Sequence, residues 1–165
     1  FLRRFIVSLP EAIQSHFLLR LYPCDLGWNE PKLWKEENLR ITIDHAEKPM
    51  SEVLQSCRLH IGTYNATNIL ETIGINFPTI ILWDPNYFEL SNYAQKYFKK
   101  LQEVGIFHPS LESAETFLIK NFKEINKWWF NEKVQKEVRN FQEHFACLKS
   151  NDNTWTNIIK QSIRS

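Results

Sequence analysis

Pro78-Thr79-Ile80-Ile81-Leu82-Trp83 is a nearly continuous apolar run, opened by a proline that can begin a strand but not interrupt one. Such a run marks a strand buried on both faces, and strands of that kind belong to parallel sheets covered by helices. The segments before it fit that requirement. Phe17-Leu18-Leu19-Arg20-Leu21-Tyr22 is a compact apolar run closed by Pro23 and loosened by Gly27, and Leu39 to Asp44 alternates with period two. Pro49 and Ser51 open a helical pattern with Val53, Leu54 and Cys57 on one face. Arg58 to Thr63 is the next strand, and Thr67 to Ile73 a short helix with Gly74 at a plausible C-cap. Strand, helix, strand, helix, strand over short connections predicts an α/β fold: an open, Rossmann-like, doubly wound parallel sheet.

The second half is helical. Glu89 to Val104 carries Leu90, Tyr93, Tyr97, Leu101 and Val104 at helical spacing and ends at Gly105. Ser110 is placed as the N-cap of a helix bearing Ala114, Leu118, Ile125 and Trp129. Val134, Val138, Phe141 and Phe145 form one stripe of a further helix, and Trp155, Ile158, Ile159 and Ser162 suggest a last short one after the linker-like Ser150-Asn151-Asp152-Asn153.

Composition narrows the function. Twenty Lys+Arg against 19 Asp+Glu give a net charge of +1, too little for the basic footprint of a nucleic-acid binder. No stretch approaches the roughly 18 apolar residues of a membrane span, so no transmembrane segment is expected. Cys24, Cys57 and Cys147 lack Cys-x-x-Cys spacing, which argues against a disulfide framework and a zinc site. No His/Asp/Glu cluster has metal spacing either, and neither a bound metal nor another cofactor is expected. The expected location is the cytoplasm, with a peripheral position at the inner membrane as a second option. Aromatic residues make up 14% of the chain and are expected to fill a core and a docking helical tail.

Ile61 to Gly74 is the segment where chemistry is best placed. A strand there hands over to a helix through hydroxyl and amide side chains, at the sheet edge where α/β proteins bind ligands. A helix N-terminus offers unpaired N–H groups and partial positive charge, both suited to phosphate. Thr63, Asn65 and Thr67 can add donors, and Glu71 falls where a carboxylate could accept ribose hydroxyls. Equally, Thr67 could simply cap its helix and Glu71 simply favour the helix dipole.

The pattern Gly62-Thr63-x-x-Ala66-Thr67-x-x-x-Glu71, followed by Pro78-Thr79-Ile80, resembles the nucleotide-sugar side of GT-B glycosyltransferases, the C-terminal of their two Rossmann-like domains. Further pieces resemble a bacterial family of surface-carbohydrate transferases of lipopolysaccharide and O-antigen type. They are Arg20-Leu21-Tyr22-Pro23 with Asp25, Gly27 and Trp28; Ser56-Cys57-Arg58-Leu59; Thr63-Tyr64-Asn65-Ala66-Thr67 with Leu70-Glu71; Asn76-Phe77-Pro78-Thr79; Gly105-Ile106-Phe107-His108; and Trp128-Trp129. The resemblance runs from about Leu18 to Ala146.

It implies a nucleotide-sugar donor whose diphosphate lies near Thr63, Tyr64, Asn65, Ala66 and Thr67, with Glu71 on the ribose or donor sugar. Arg20 would neutralise phosphate charge; the plain alternative is a strand-end salt bridge with Asp25 or Asp44. It implies a glycan or lipid-linked acceptor and no bound metal. It also implies an N-terminal Rossmann-like domain outside this chain that supplies the acceptor site and the catalytic base. Residues 1–16 are then linker or the end of that domain, 17–130 the donor-binding domain, and 131–165 helices packed on it. Such a piece, starting at Phe1, is expected to bind nucleotide yet turn over nothing.

Other residues are weaker candidates. Trp83 could stack on a base and Asp84 could bind a sugar hydroxyl, but Trp83 also suits the core; with Asp25 and His108 they complete the cleft residues. His108 is read as a loop histidine bonded to backbone, His60 as a structural histidine within a strand, and Trp128-Trp129 as a staple for the terminal helices. Two alternatives stand beside the glycosyltransferase: a polyol-phosphate transferase with a CDP-linked donor, and a noncatalytic α/β interaction module.

Overall fold

A computed structural model describes residues 2–24, 27, 29–36 and 39–146. Asp25, Trp28, Cys147, the linker-like 150–153 and the expected last helix lie outside them. The chain divides into two compact units, Phe1–Val53 and Leu54–Ser165.

The first unit opens with helices α1 (Leu2–Ser8) and α2 (Glu11–Gln14), followed by strand β1 (Leu18–Arg20), α3 (Glu30–Glu36), β2 (Thr42–Asp44) and the start of α4 (Met50–Leu54). Phe5, Ile6, Leu9 and Ile13 are buried, and Phe5 meets Phe17 edge-on at 6.3 Å. β1 and β2 pair in parallel, Leu18 opposite Thr42 and Arg20 opposite Asp44. The strands expected over 17–22 and 39–44 are therefore present but short, and α3 falls where no helix was expected.

The second unit carries β3 (His60–Gly62), α5 (Thr67–Gly74), β4 (Thr79–Leu82), α6 (Asn92–Glu103), β5 (Phe107–His108), α7 (Leu111–Asn121), a 3₁₀ turn at Phe122–Glu124, α8 (Ile125–Trp129) and α9 (Glu132–Phe145). Its sheet is parallel with order β3-β4-β5. The class is α/β, as expected, with the strands distributed between two small parallel ladders, β1-β2 and β3-β4-β5. All four residues of β4 are buried between its neighbours, which is why its sequence shows no alternation.

Several local details differ from the sequence reading. Gly74 lies inside α5; the left-handed residue that ends the turn is Asn76, at φ 59°. A short amide side chain tolerates that region better than most. Ser91 accepts a hydrogen bond from the Ala94 amide and so starts α6 later than expected. Its buried stripe is accordingly Ala94, Tyr97, Phe98 and Leu101, leaving Tyr93 exposed. Ser110 does cap α7, accepting from the Ser113 amide, but the helix expected from there to Trp129 breaks at the 3₁₀ turn.

That break directs α8 to the amino-terminal edge of the sheet. Trp128 Nε1 donates to the Val104 carbonyl, just before β5, at 2.9 Å. Trp129 is fully buried, and its Nε1 donates to both the carbonyl and Oδ1 of Asn76, just before β4. Asn76 and Gln135 exchange side-chain amide bonds of 3.0 and 3.1 Å, and Gln135 also donates to the Trp129 carbonyl. From α9, Gln142 donates to the Ile73 carbonyl at the end of α5, at 2.7 Å. The two tryptophans are the staple expected of them, and each buried polar group they bring has its partner.

Candidate functional site

Parallel strands bring the loops after β3 and β4 and the end of β5 to one edge. The β3 loop, Thr63–Ala66, leads directly into α5. Ala66 is the N-cap residue, extended at φ −140° and ψ 168°, and no side chain caps the helix. Thr67 is the first helical residue, so the capping role open to it is not the one it takes. The first-turn N–H groups thus lack the oxygen that a serine or aspartate would supply, and they carry the positive end of the helix dipole. Tyr64, Asn65, Thr67 and Glu71 are exposed here, and Thr63 and Ala66 half-buried.

Gly62 sets how this loop turns. A Cβ at that position would lie 2.5 Å from Ile69 Cγ1 and 2.9 Å from its Cδ1. Ile69 is itself buried, so the absent side chain is what lets the first turn of α5 sit against the end of β3. One strand position earlier on the same face, His60 Nδ1 lies 3.1 Å from Thr72 Oγ1, whose own proton is directed to the Asn68 carbonyl at 3.0 Å. His60 therefore donates from Nδ1 as the neutral ring, and desolvation pushes its pKa down to about 4. This histidine anchors the underside of α5.

The β4 loop starts from Trp83, which is fully buried among Phe88, Phe98 and Phe107 at ring separations of 5.4–5.9 Å. It belongs to the core, and its indole Nε1 has no hydrogen-bond partner among the described residues. Asp84 Oδ1 accepts from the backbone amide and the side chain of Asn86, closing the loop as an Asx turn. Tyr87, on the same loop, is 80% exposed.

His108 ends β5, in a strand rather than the expected loop. It is buried, with Nε2 donating to the Gly105 carbonyl at 3.0 Å and Nδ1 accepting from Ser113 Oγ at 2.9 Å. Burial pushes its pKa down, opposed in part by the bond to Gly105. Both nitrogens are occupied, and the bond to backbone is the one anticipated from the sequence.

Arg20 belongs to the first unit. Its Nη1 pairs with Asp44 at 2.6 Å and its Nη2 donates to the Lys48 carbonyl at 2.6 Å. Asp44 also accepts from the amide of Ala46, which sits at φ 60°. Of the two plain partners considered for Arg20, Asp44 is thus engaged.

The second unit brings Thr63 to Thr67, Glu71, Asp84 and His108 to one sheet edge, while Trp83 turns inward. The sequence marks Gly62 only as the first residue of the Gly62-Thr63-x-x-Ala66-Thr67 pattern, without its packing against Ile69, and does not mark Tyr87. Among the described residues no group of three or more His, Cys, Asp or Glu side chains could hold a metal ion, and no helix is long and apolar enough to cross a membrane.

Residues 2–163 match the family model for LIC12162 family transferases. The chain belongs to that family. No curated protein and no solved structure matches it. Membership of the LIC12162 family makes the protein a transferase.

Proposed function

We propose that the second unit binds the donor of a GT-B type glycosyltransferase, which moves a sugar from a nucleotide-sugar to a cell-surface glycan precursor. The observation that carries this reading is the uncapped first turn of α5, reached from β3 through Thr63–Ala66 at the carboxyl edge of a parallel sheet, in a chain of a transferase family.

In this reading the donor diphosphate takes the place of the missing cap. The first-turn N–H groups and the hydroxyl and amide groups of Thr63, Asn65 and Thr67 donate to its oxygens. Negative charge grows on the diphosphate as the sugar leaves, so donors fixed in advance stabilise the transition state more than the ground state. Glu71, one turn further along α5, accepts from ribose or sugar hydroxyls. Acceptor and catalytic base come from a second Rossmann-like domain.

A thermal-shift panel of nucleoside diphosphates and nucleotide-sugars tests this. The expected result is stabilisation by at least one of them, lost in the double variant Asn65→Ala/Thr67→Ala. By linkage, ligand at a hundredfold excess over its Kd adds about 2.7 kcal/mol, a readily visible shift. Indifference of the wild-type chain to the whole panel overturns the reading; a response confined to CDP-linked polyols moves it to polyol-phosphate transfer.

A further inference from the structure

The second unit has a basic pocket at the opposite, amino-terminal edge of its sheet. Arg58 lies two residues before β3. Because α7 leaves the carboxyl end of β5 and runs back, the 3₁₀ turn and the start of α8 arrive at that same edge. Arg58, Lys123, Glu124, Ile125, Asn126 and Lys127 line a cavity of about 240 Å³. Three cations face one carboxylate there, and that carboxylate, Glu124, is already bonded to Lys127 through both oxygens at 3.2 Å. Arg58 and Lys123 have no ion pair or hydrogen bond among the described residues. The Arg58 guanidinium lies over the Phe122 ring, 5.4 Å from its centroid, within reach of a cation–π attraction, and the residue is exposed to solvent.

We propose that this pocket binds a phosphate-type oxyanion, with Arg58 and Lys123 as its two principal donors. A guanidinium is a fork of donors that matches phosphate geometry, and an ammonium adds a second positive charge. The pocket's volume lies below the roughly 300–1,000 Å³ of sites that enclose a drug-sized molecule, and it has room for a phosphate or diphosphate head. Two sources carry that chemistry, a soluble phosphate compound and the phosphate of a lipid headgroup.

The test uses the full chain at low ionic strength, with inorganic pyrophosphate in calorimetry and phosphatidylglycerol/phosphatidylcholine vesicles in co-sedimentation. Arg58→Gln/Lys123→Gln is expected to weaken the response by at least about tenfold, as losing two charge-assisted contacts implies. Lys32→Gln/Lys35→Gln, which removes equal charge from α3, is expected to leave it unchanged. A response to pyrophosphate alone identifies a soluble ligand, and a response to vesicles alone a headgroup. Equal weakening by both double variants, or no dependence on Arg58 and Lys123 in either assay, overturns the proposal. Arg58→Lys keeps the charge but not the fork of donors, and is expected to retain only part of the affinity.

Discussion

The two edges of the β3-β4-β5 sheet are built in opposite ways. The amino-terminal edge is tied down by long-range bonds: Trp128 to Val104, Trp129 to Asn76, Gln135 to Asn76 and Gln142 to Ile73. At the carboxyl-terminal edge the side-chain bonds are local, Asp84 to Asn86 and His108 to Ser113, and the β3 loop ends in an uncapped helix with Tyr64, Asn65 and Thr67 exposed. Long-range bonds are concentrated at one edge and the uncapped helix end lies at the other. A ligand can then meet its donors without dismantling the contacts that hold the unit together.

Substitutions at the two edges should therefore separate stability from binding. The largest loss is expected from Trp129→Ala, which empties a fully buried site and removes the indole donor from the Asn76 carbonyl. Truncating a buried aromatic of this size costs about 3–5 kcal/mol, to be read from urea unfolding. Next comes the pH dependence of His60. Its folded pKa is about 4 against 6.5 when unfolded, so the unfolded state binds more protons between those values. Stability is complete above pH 6.5 and falls as the pH drops towards 4, by about 2–3 kcal/mol at most for this half-buried ring. His108 acts with the same sign. Denaturation profiles across that window should flatten in His60→Asn, which keeps a donor for Thr72.

Gly62→Ala should cost about 1–3 kcal/mol, because the new Cβ drives the buried Ile69 away from β3. It is also expected to impair nucleotide binding, since the first turn of α5 moves with Ile69. Asn65→Ala/Thr67→Ala sharpens the contrast from the other side. Its unfolding free energy should stay within about 0.5 kcal/mol of wild type while the ligand response disappears. A double variant that lost as much stability as Trp129→Ala would erase the distinction between the edges.

Much of this organisation was legible in the chain. Strand β4 announced itself because burial on both faces leaves nothing but apolar residues, and Ser110 was readable as a cap because its side chain acts within three residues. Strand β5 was missed because it depends on a distant partner, whereas α3, which buries no residue, shows no apolar stripe to read. Phe107–His108 is too short for any period and becomes a strand only because β4 lies beside it. Tyr93 fits the stripe of its helix by spacing, yet the Ser91 cap and the packing of α9 select the neighbouring face. Thr63, Asn65 and Thr67 were readable as the connection between β3 and α5 because hydroxyl and amide side chains suit turns and helix starts. Gly62 stood in the pattern, but its packing role was hidden because that role is the nearness of Ile69, a distance that no residue spacing reveals.

The bond between Trp129 and Asn76 spans 53 residues of chain, and that between Gln142 and Ile73 spans 69. By contrast, β3 finds β4 across the short segment that holds α5. Closing a longer loop costs more entropy and is repaid only once both ends have structure to meet. The strands can pair and α5 can settle before the tryptophans arrive, so the amino-terminal edge is sealed last.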